Sequence, residues 1–113
     1  MINIPKTLKV GAHDYEVIFP YQFKERVDIC GMSDSKLRRI MVAELDGNGE
    51  KRPDSDILAI FFHEVIHAID SVYCGSQIGT ECNQDGLTDS IAQGFAQVYI
   101  DNPGFRELWE CQD

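Results

Sequence analysis

The stretch His63-Glu64-Val65-Ile66-His67, set inside the apolar run from Ile57 to Ile69, governs the reading of this chain. A helix turns about 100° per residue, so histidines four positions apart stand one turn above each other on one face. Pro53-Asp54-Ser55-Asp56 offers a start with capping and dipole-favoured acids, and Cys74-Gly75 a stop, which predicts a helix from about Ser55 to Cys74. Ile57, Leu58, Ile60, Phe61, Phe62, Val65, Ile66 and Ile69 make it apolar nearly all round, and therefore buried. Two histidines and a glutamate in a buried helix are costly without partners. The pattern predicts a metal site: both imidazoles reach one ion, usually zinc, and Glu64 reaches a metal-bound water without ligating the metal. The chemistry expected of it is hydrolysis by metal-activated water, with Glu64 as general base.

A tetrahedral catalytic site of this kind needs a third protein ligand and leaves the fourth position to water. The positions that a longer histidine motif would use are Asp70 and Tyr73, so the ligand has to come from elsewhere. Leu87, Ile91, Phe95 and Val98 recur at helical spacing, and Asn102-Pro103-Gly104 follows, which predicts a second helix from about Asp85 or Leu87 to Ile100. Asp89 lies on that helix, away from the apolar stripe and near Ala92 and Ala96, whose small side chains allow close helix approach. It is the expected third ligand, with Asp85 and Glu81 as competitors. Asp70 shares the face of His63 and His67 and is expected to orient an imidazole. Tyr73 and Tyr99 are phenols within range of such a site, with packing the stronger expectation for each. Two histidines and a carboxylate also accept manganese, iron or cobalt.

Upstream, Leu8-Lys9-Val10 and Tyr15 to Phe19 read as strands about a turn at Gly11 to Asp14, with His13 solvated in the turn. Pro20 to Asp28 reads as a loop or helical turn anchored by Tyr21, Phe23 and Val27. Ile29 to Asp34 and Arg38 to Ala43 read as two further strands, the second apolar enough to be interior, with Arg38 and Arg39 at a solvated strand end. Asp46-Gly47-Asn48-Gly49 reads as a linker, because it lacks the acidic spacing of a calcium loop. Phe105, Leu108 and Trp109 belong to a short tail that packs back on the core.

At 113 residues the chain is expected to form one domain, 1–113. A net charge of −9 argues against nonspecific binding to nucleic acid or anionic membrane, both of which need basic patches. The N-terminus carries no apolar leader and no apolar run approaches a membrane span, which points to a cytoplasmic protein. The four cysteines, Cys30, Cys74, Cys82 and Cys111, then read as reduced thiols, with Cys74 and Cys82 the pair best placed to meet.

The hairpin, the Cys30-Gly31 strand, Arg39-Ile40-Met41-Val42, His63 to Asp70 and Leu87 to Phe95 together resemble the short phage- and prophage-associated gluzincin metallopeptidases, a minimal zincin domain. The resemblance implies an α+β fold in which a small twisted N-terminal sheet packs on an active-site helix, followed by a ligand-bearing helix. It implies Zn2+ held by His63, His67 and Asp89, Glu64 as the catalytic base, a peptide or protein substrate, and an edge strand beside the cleft, for which Ile29 to Asp34 is the candidate. Gluzincins commonly use glutamate as the third ligand; this chain has aspartate there, which requires the helices to come closer. Two other readings stand beside a zinc-dependent peptidase. One is a zinc-stabilised binding or regulatory module with little catalysis. The other is a nucleic-acid-associated protease of the SprT-like kind, which the acidic balance disfavours.

Overall fold

Alternation of apolar and polar residues builds the N-terminal hairpin. The computed structural model describes residues 2–24, 29–78 and 84–110, the side chains of 84, 85, 109 and 110 excepted. Strands β1 (Thr7–Val10) and β2 (His13–Ile18) pair antiparallel, and Leu8, Val10, Tyr15 and Val17 are buried on one face while Lys9, Asp14 and Glu16 are exposed on the other. Gly11 turns the chain at φ 61°, and a Cβ there would meet Val72 Cγ1 at 2.7 Å, so glycine supplies both the backbone and the room. The turn is tighter than the sequence suggests: His13 already opens β2, exposed, and pairs with Val10.

Strands β3 (Gly31–Asp34) and β4 (Arg39–Val42) are antiparallel to each other, and β4 runs parallel to β2, giving the order β1-β2-β4-β3. Ile40 and Val42 join the core face, whereas Met41 faces the other side of the sheet. Arg38, at φ 54°, donates from Nη1 to the Tyr15 hydroxyl at 3.1 Å and lies over that ring, so it is a packing residue rather than a solvated strand end.

Helix α1 (Asp54–Ile69) lies across the core face and buries Ile57, Phe61, Val65, Ala68 and Ile69. Its start differs from expectation. Pro53 is the N-cap, with no side-chain cap hydrogen bond, and the first turn relies on Asp54 and Asp56 against the helix dipole. It continues into a π-helical turn, Asp70–Cys74, closed by Gly75 in the left-handed conformation. The continuous helix, Asp54–Cys74, is 21 residues long and apolar enough by length and composition to cross a membrane, contrary to the sequence reading. The core helix of a sheet-packed protein has the same signature, and α1 buries one apolar side against β3 and β4.

Helix α2 (Gln84–Asp101) crosses the π-helical turn at Gly94, where a Cβ would stand 2.5 Å from Ile69 Cγ2 and 2.8 Å from Tyr73 Cδ2. The chain then re-enters a helix, α3 (Pro103–Glu110), where the sequence suggests only a tail. Pro103 ends α2 but is also suited to the first position of a new helix, and the Asn102 carbonyl accepts the opening bonds from Phe105 and Arg106. Phe105 and Leu108 pack on the core, as expected.

One sheet edge is closed by α2. The Asn102 amide accepts from Lys9 N–H at 2.8 Å and donates to the Lys9 carbonyl at 2.9 Å, reproducing the pairing a neighbouring strand would give. Gln97 completes the clasp, accepting from Gly11 N–H at 2.7 Å and donating to the Lys9 carbonyl at 3.0 Å. The opposite edge, β3, has no partner strand among the described residues. The architecture is thus α+β with a small twisted sheet, as the sequence predicts.

Candidate functional site

Helical spacing brings His63 and His67 together as expected. Their Nε2 atoms are 3.2 Å apart, close enough for one imidazole to donate to the other, and both residues are exposed. Glu64, one residue on from His63, is turned toward the sheet and is only 7% exposed. It lies against Gly31 at the start of β3, where an added Cβ would meet Ile60 Cγ2 at 2.7 Å and Glu64 Oε2 at 3.0 Å. Gly31 therefore lets the edge strand approach α1 closely enough to frame a cleft. Gly31, Met32, Ser33, Ser35, Glu64 and His67 line this cleft of about 450 Å³, together with Asp70 and the residues that follow it, Ser71, Ser76 and Ile78.

Burial raises the Glu64 carboxyl above its ordinary value, against the pull of His63 and then His67, which lower it. An acid with a raised folded-state pKa loses stability as pH climbs through that pKa, and bears no penalty below its unfolded value, where both states are protonated. Glu64→Gln is thus expected to be more stable than the wild type at pH 7, with the gain vanishing near pH 4, about the ordinary glutamate value. Urea unfolding at the two pH values checks this; a variant less stable at pH 7 would show that the carboxylate is held by favourable contacts.

The remaining residues singled out from the sequence take other positions. Asp70 is buried, but its Oδ1 accepts from Gln77 N–H at 2.9 Å and its Oδ2 from Ile78 N–H at 3.2 Å, so it ties down the loop after the π-helical turn rather than orienting an imidazole. Tyr73 donates to Gln97 Oε1 at 3.1 Å and joins the clasp on β1. Tyr99 is exposed on α2. Asp89 is also exposed on α2 and does not close a three-donor set with His63 and His67. Glu81 and Cys82 lie outside the described residues, as does the side chain of Asp85.

No group of three or more histidine, cysteine, aspartate or glutamate side chains among the described residues converges so as to hold a metal ion. Comparison of the chain with protein-family models, with curated proteins and with solved structures found no match. These findings correct the sequence reading: the Zn2+ cofactor, the gluzincin or zincin resemblance, the ligand-bearing second helix and the zinc-dependent peptidase activity are unsupported. The physical reason lies in α2. Gly94 sets its close approach at Ile69 and Tyr73, toward the C-terminal end of α1, and two histidines on one helix are two donors rather than three.

The sequence reading names Ile29 to Asp34 as the edge strand beside the cleft but does not single out Gly31 and Ser33 within it. A glycine inside a strand signals close backbone approach, and Gly31 was legible in that sense.

Proposed function

We propose that this chain is a peptide-binding module that captures an extended segment as an added strand on β3. The observation that carries this reading is the direction of the β3 backbone groups. Ala43 N–H donates to the Cys30 carbonyl at 2.9 Å, which makes 30 and 43 a hydrogen-bonded pair in the register Gly31↔Val42, Met32↔Met41. Pairs alternate along an antiparallel ladder, so the N–H and C=O of Met32 and Asp34 turn inward to β4, while those of Gly31 and Ser33 turn outward. The outward pair borders the cleft above Glu64 and His67. Exposed strand edges template pairing with another chain, and proteins ordinarily blunt them. Here β1 is blunted by Asn102 and Gln97, and among the described residues nothing pairs with the outer edge of β3, the geometry of strand-addition recognition.

The test is Ser33→Pro. Proline at an outward-facing position removes the N–H that an added strand needs and leaves the ladder to β4 intact. Against an array of extended peptides of randomised sequence, the wild type is expected to select binders and to protect the Gly31 and Ser33 amides from hydrogen exchange. Ser33→Pro is expected to weaken those binders at least about tenfold while changing fold stability by less than about 1 kcal/mol. Selected binders that ignore the proline, or an array with no binders, would overturn the reading.

A further inference from the structure

An added strand on β3 presents its side chains alternately to the two faces of the sheet, and the two faces differ here. The cleft on the α1 side is lined by Ser33, Ser35, Glu64, His67 and Asp70, and is mostly polar. On the opposite face, Tyr21, Phe23, Ile29, Met32 and Met41 line a second hollow of about 670 Å³. The Tyr21 and Phe23 rings meet edge to face at 4.7 Å, and Met32 is 40% exposed at the rim. Met32 borders both hollows, so β3 is the divide between them.

We infer that the segment bound on β3 is one with a bulky apolar residue set between small or polar neighbours, its apolar side chain lodged against Met32, Met41, Tyr21 and Phe23. This inference rests on the strand-addition reading above. The register decides the parity. Side chains directly opposite each other in a ladder share a face, so the residue opposite Met32 points to the aromatic and methionine hollow. Its two neighbours, opposite Gly31 and Ser33, point to the cleft over Glu64. Met32 turns its own backbone groups to β4, so the residue opposite it lies between the hydrogen bonds of Gly31 and Ser33, where paired side chains come closest. The occupant is thereby specified as the same chain that satisfies the edge, because both hollows open on one strand. Methionine and two aromatic rings suit an aliphatic side chain of variable shape, with the thioethers adapting to it. The polar cleft excludes a second bulky apolar side chain at the flanking positions, where it would desolvate Glu64 and His67 without replacing their contacts with water.

The probe is the peptide Ser-Leu-Ser-Leu-Ser-Leu-Ser, with Ser-Gly-Ser-Gly-Ser-Gly-Ser as its comparison, titrated into protein labelled with 13C on the methionine methyls. The three methionines are Met1, Met32 and Met41, so the resonances are few. The leucine peptide is expected to shift the Met32 and Met41 methyls, to protect the Gly31 and Ser33 amides, and to bind at least about tenfold tighter than the glycine peptide. Met32→Asp and Phe23→Ser are each expected to remove that preference, with circular dichroism confirming that the variants remain folded. Amide protection without methyl shifts, or equal affinity for the two peptides, would overturn this inference and leave the strand-addition reading standing. If neither peptide protects the Gly31 and Ser33 amides, both fall.

Discussion

Phe105→Ala is expected to cost about 4 kcal/mol of folding stability. Phe105 is fully buried, and its ring centroid lies 6.1 Å from Phe61, 5.8 Å from Phe62 and 5.7 Å from Phe95. The ring therefore ties α3 to both α1 and α2. Truncation removes the transfer free energy of the ring and leaves a hole that three phenylalanines on two rigid helices cannot close without moving those helices. Natural domains of this size are stable by only about 5–15 kcal/mol, so the loss takes a large share of the total and lowers the melting temperature by about 20 °C. Equilibrium urea unfolding measures it directly. A loss below about 1 kcal/mol would mean that α3 is not docked on α1 and that the C-terminal segment is dispensable to the core.

The same residue marks where local sequence signals succeed and where they stop. Four strands and two helices are legible because their signals are local: alternation at Leu8, Val10, Tyr15 and Val17, and an apolar helical run from Ile57 to Ile69. Helix α3 is not, because Pro103 is both a helix terminator and a helix initiator, and which role applies depends on whether Phe105 finds a pocket. The packing of Phe105 on the core was legible; its helical setting was not. The site divides the same way. The pairing of His63 with His67 follows from helical spacing alone. A third donor depends on how α2 crosses α1, and the crossing is set by the contact of Gly94 with Ile69 and Tyr73, which no spacing rule contains. Asp70 shows the limit within a single helix. Its face follows from the period, but a π-helical turn and the loop N–H groups of Gln77 and Ile78 decide what its carboxylate does.

The β1 edge of the sheet is closed by side chains, and Asn102→Leu tests how much that closure contributes. Leucine has the same number and branching of side-chain heavy atoms as asparagine, so the substitution removes the hydrogen bonds while keeping the outline of the side chain. Asn102 makes three: from Lys9 N–H, to the Lys9 carbonyl, and to the Val98 carbonyl at 2.8 Å. The Lys9 carbonyl retains Gln97 Nε2, but the Lys9 N–H loses its partner beneath α2. Leaving one part-buried donor unpaired while losing two further bonds is expected to cost about 2 kcal/mol. A second effect separates this variant from an ordinary destabilised one. Loosening α2 from β1 exposes a strand edge whose outward groups at Lys9 are ready to pair, so Asn102→Leu is expected to self-associate with rising concentration under conditions where the wild type does not. Urea unfolding gives the first quantity, sedimentation velocity across a concentration series gives the second, and hydrogen exchange at the Lys9 amide locates both. A variant within about 1 kcal/mol of wild type, with Lys9 still protected, would show that Gln97 alone closes the edge and that Asn102 serves only as the junction between α2 and α3.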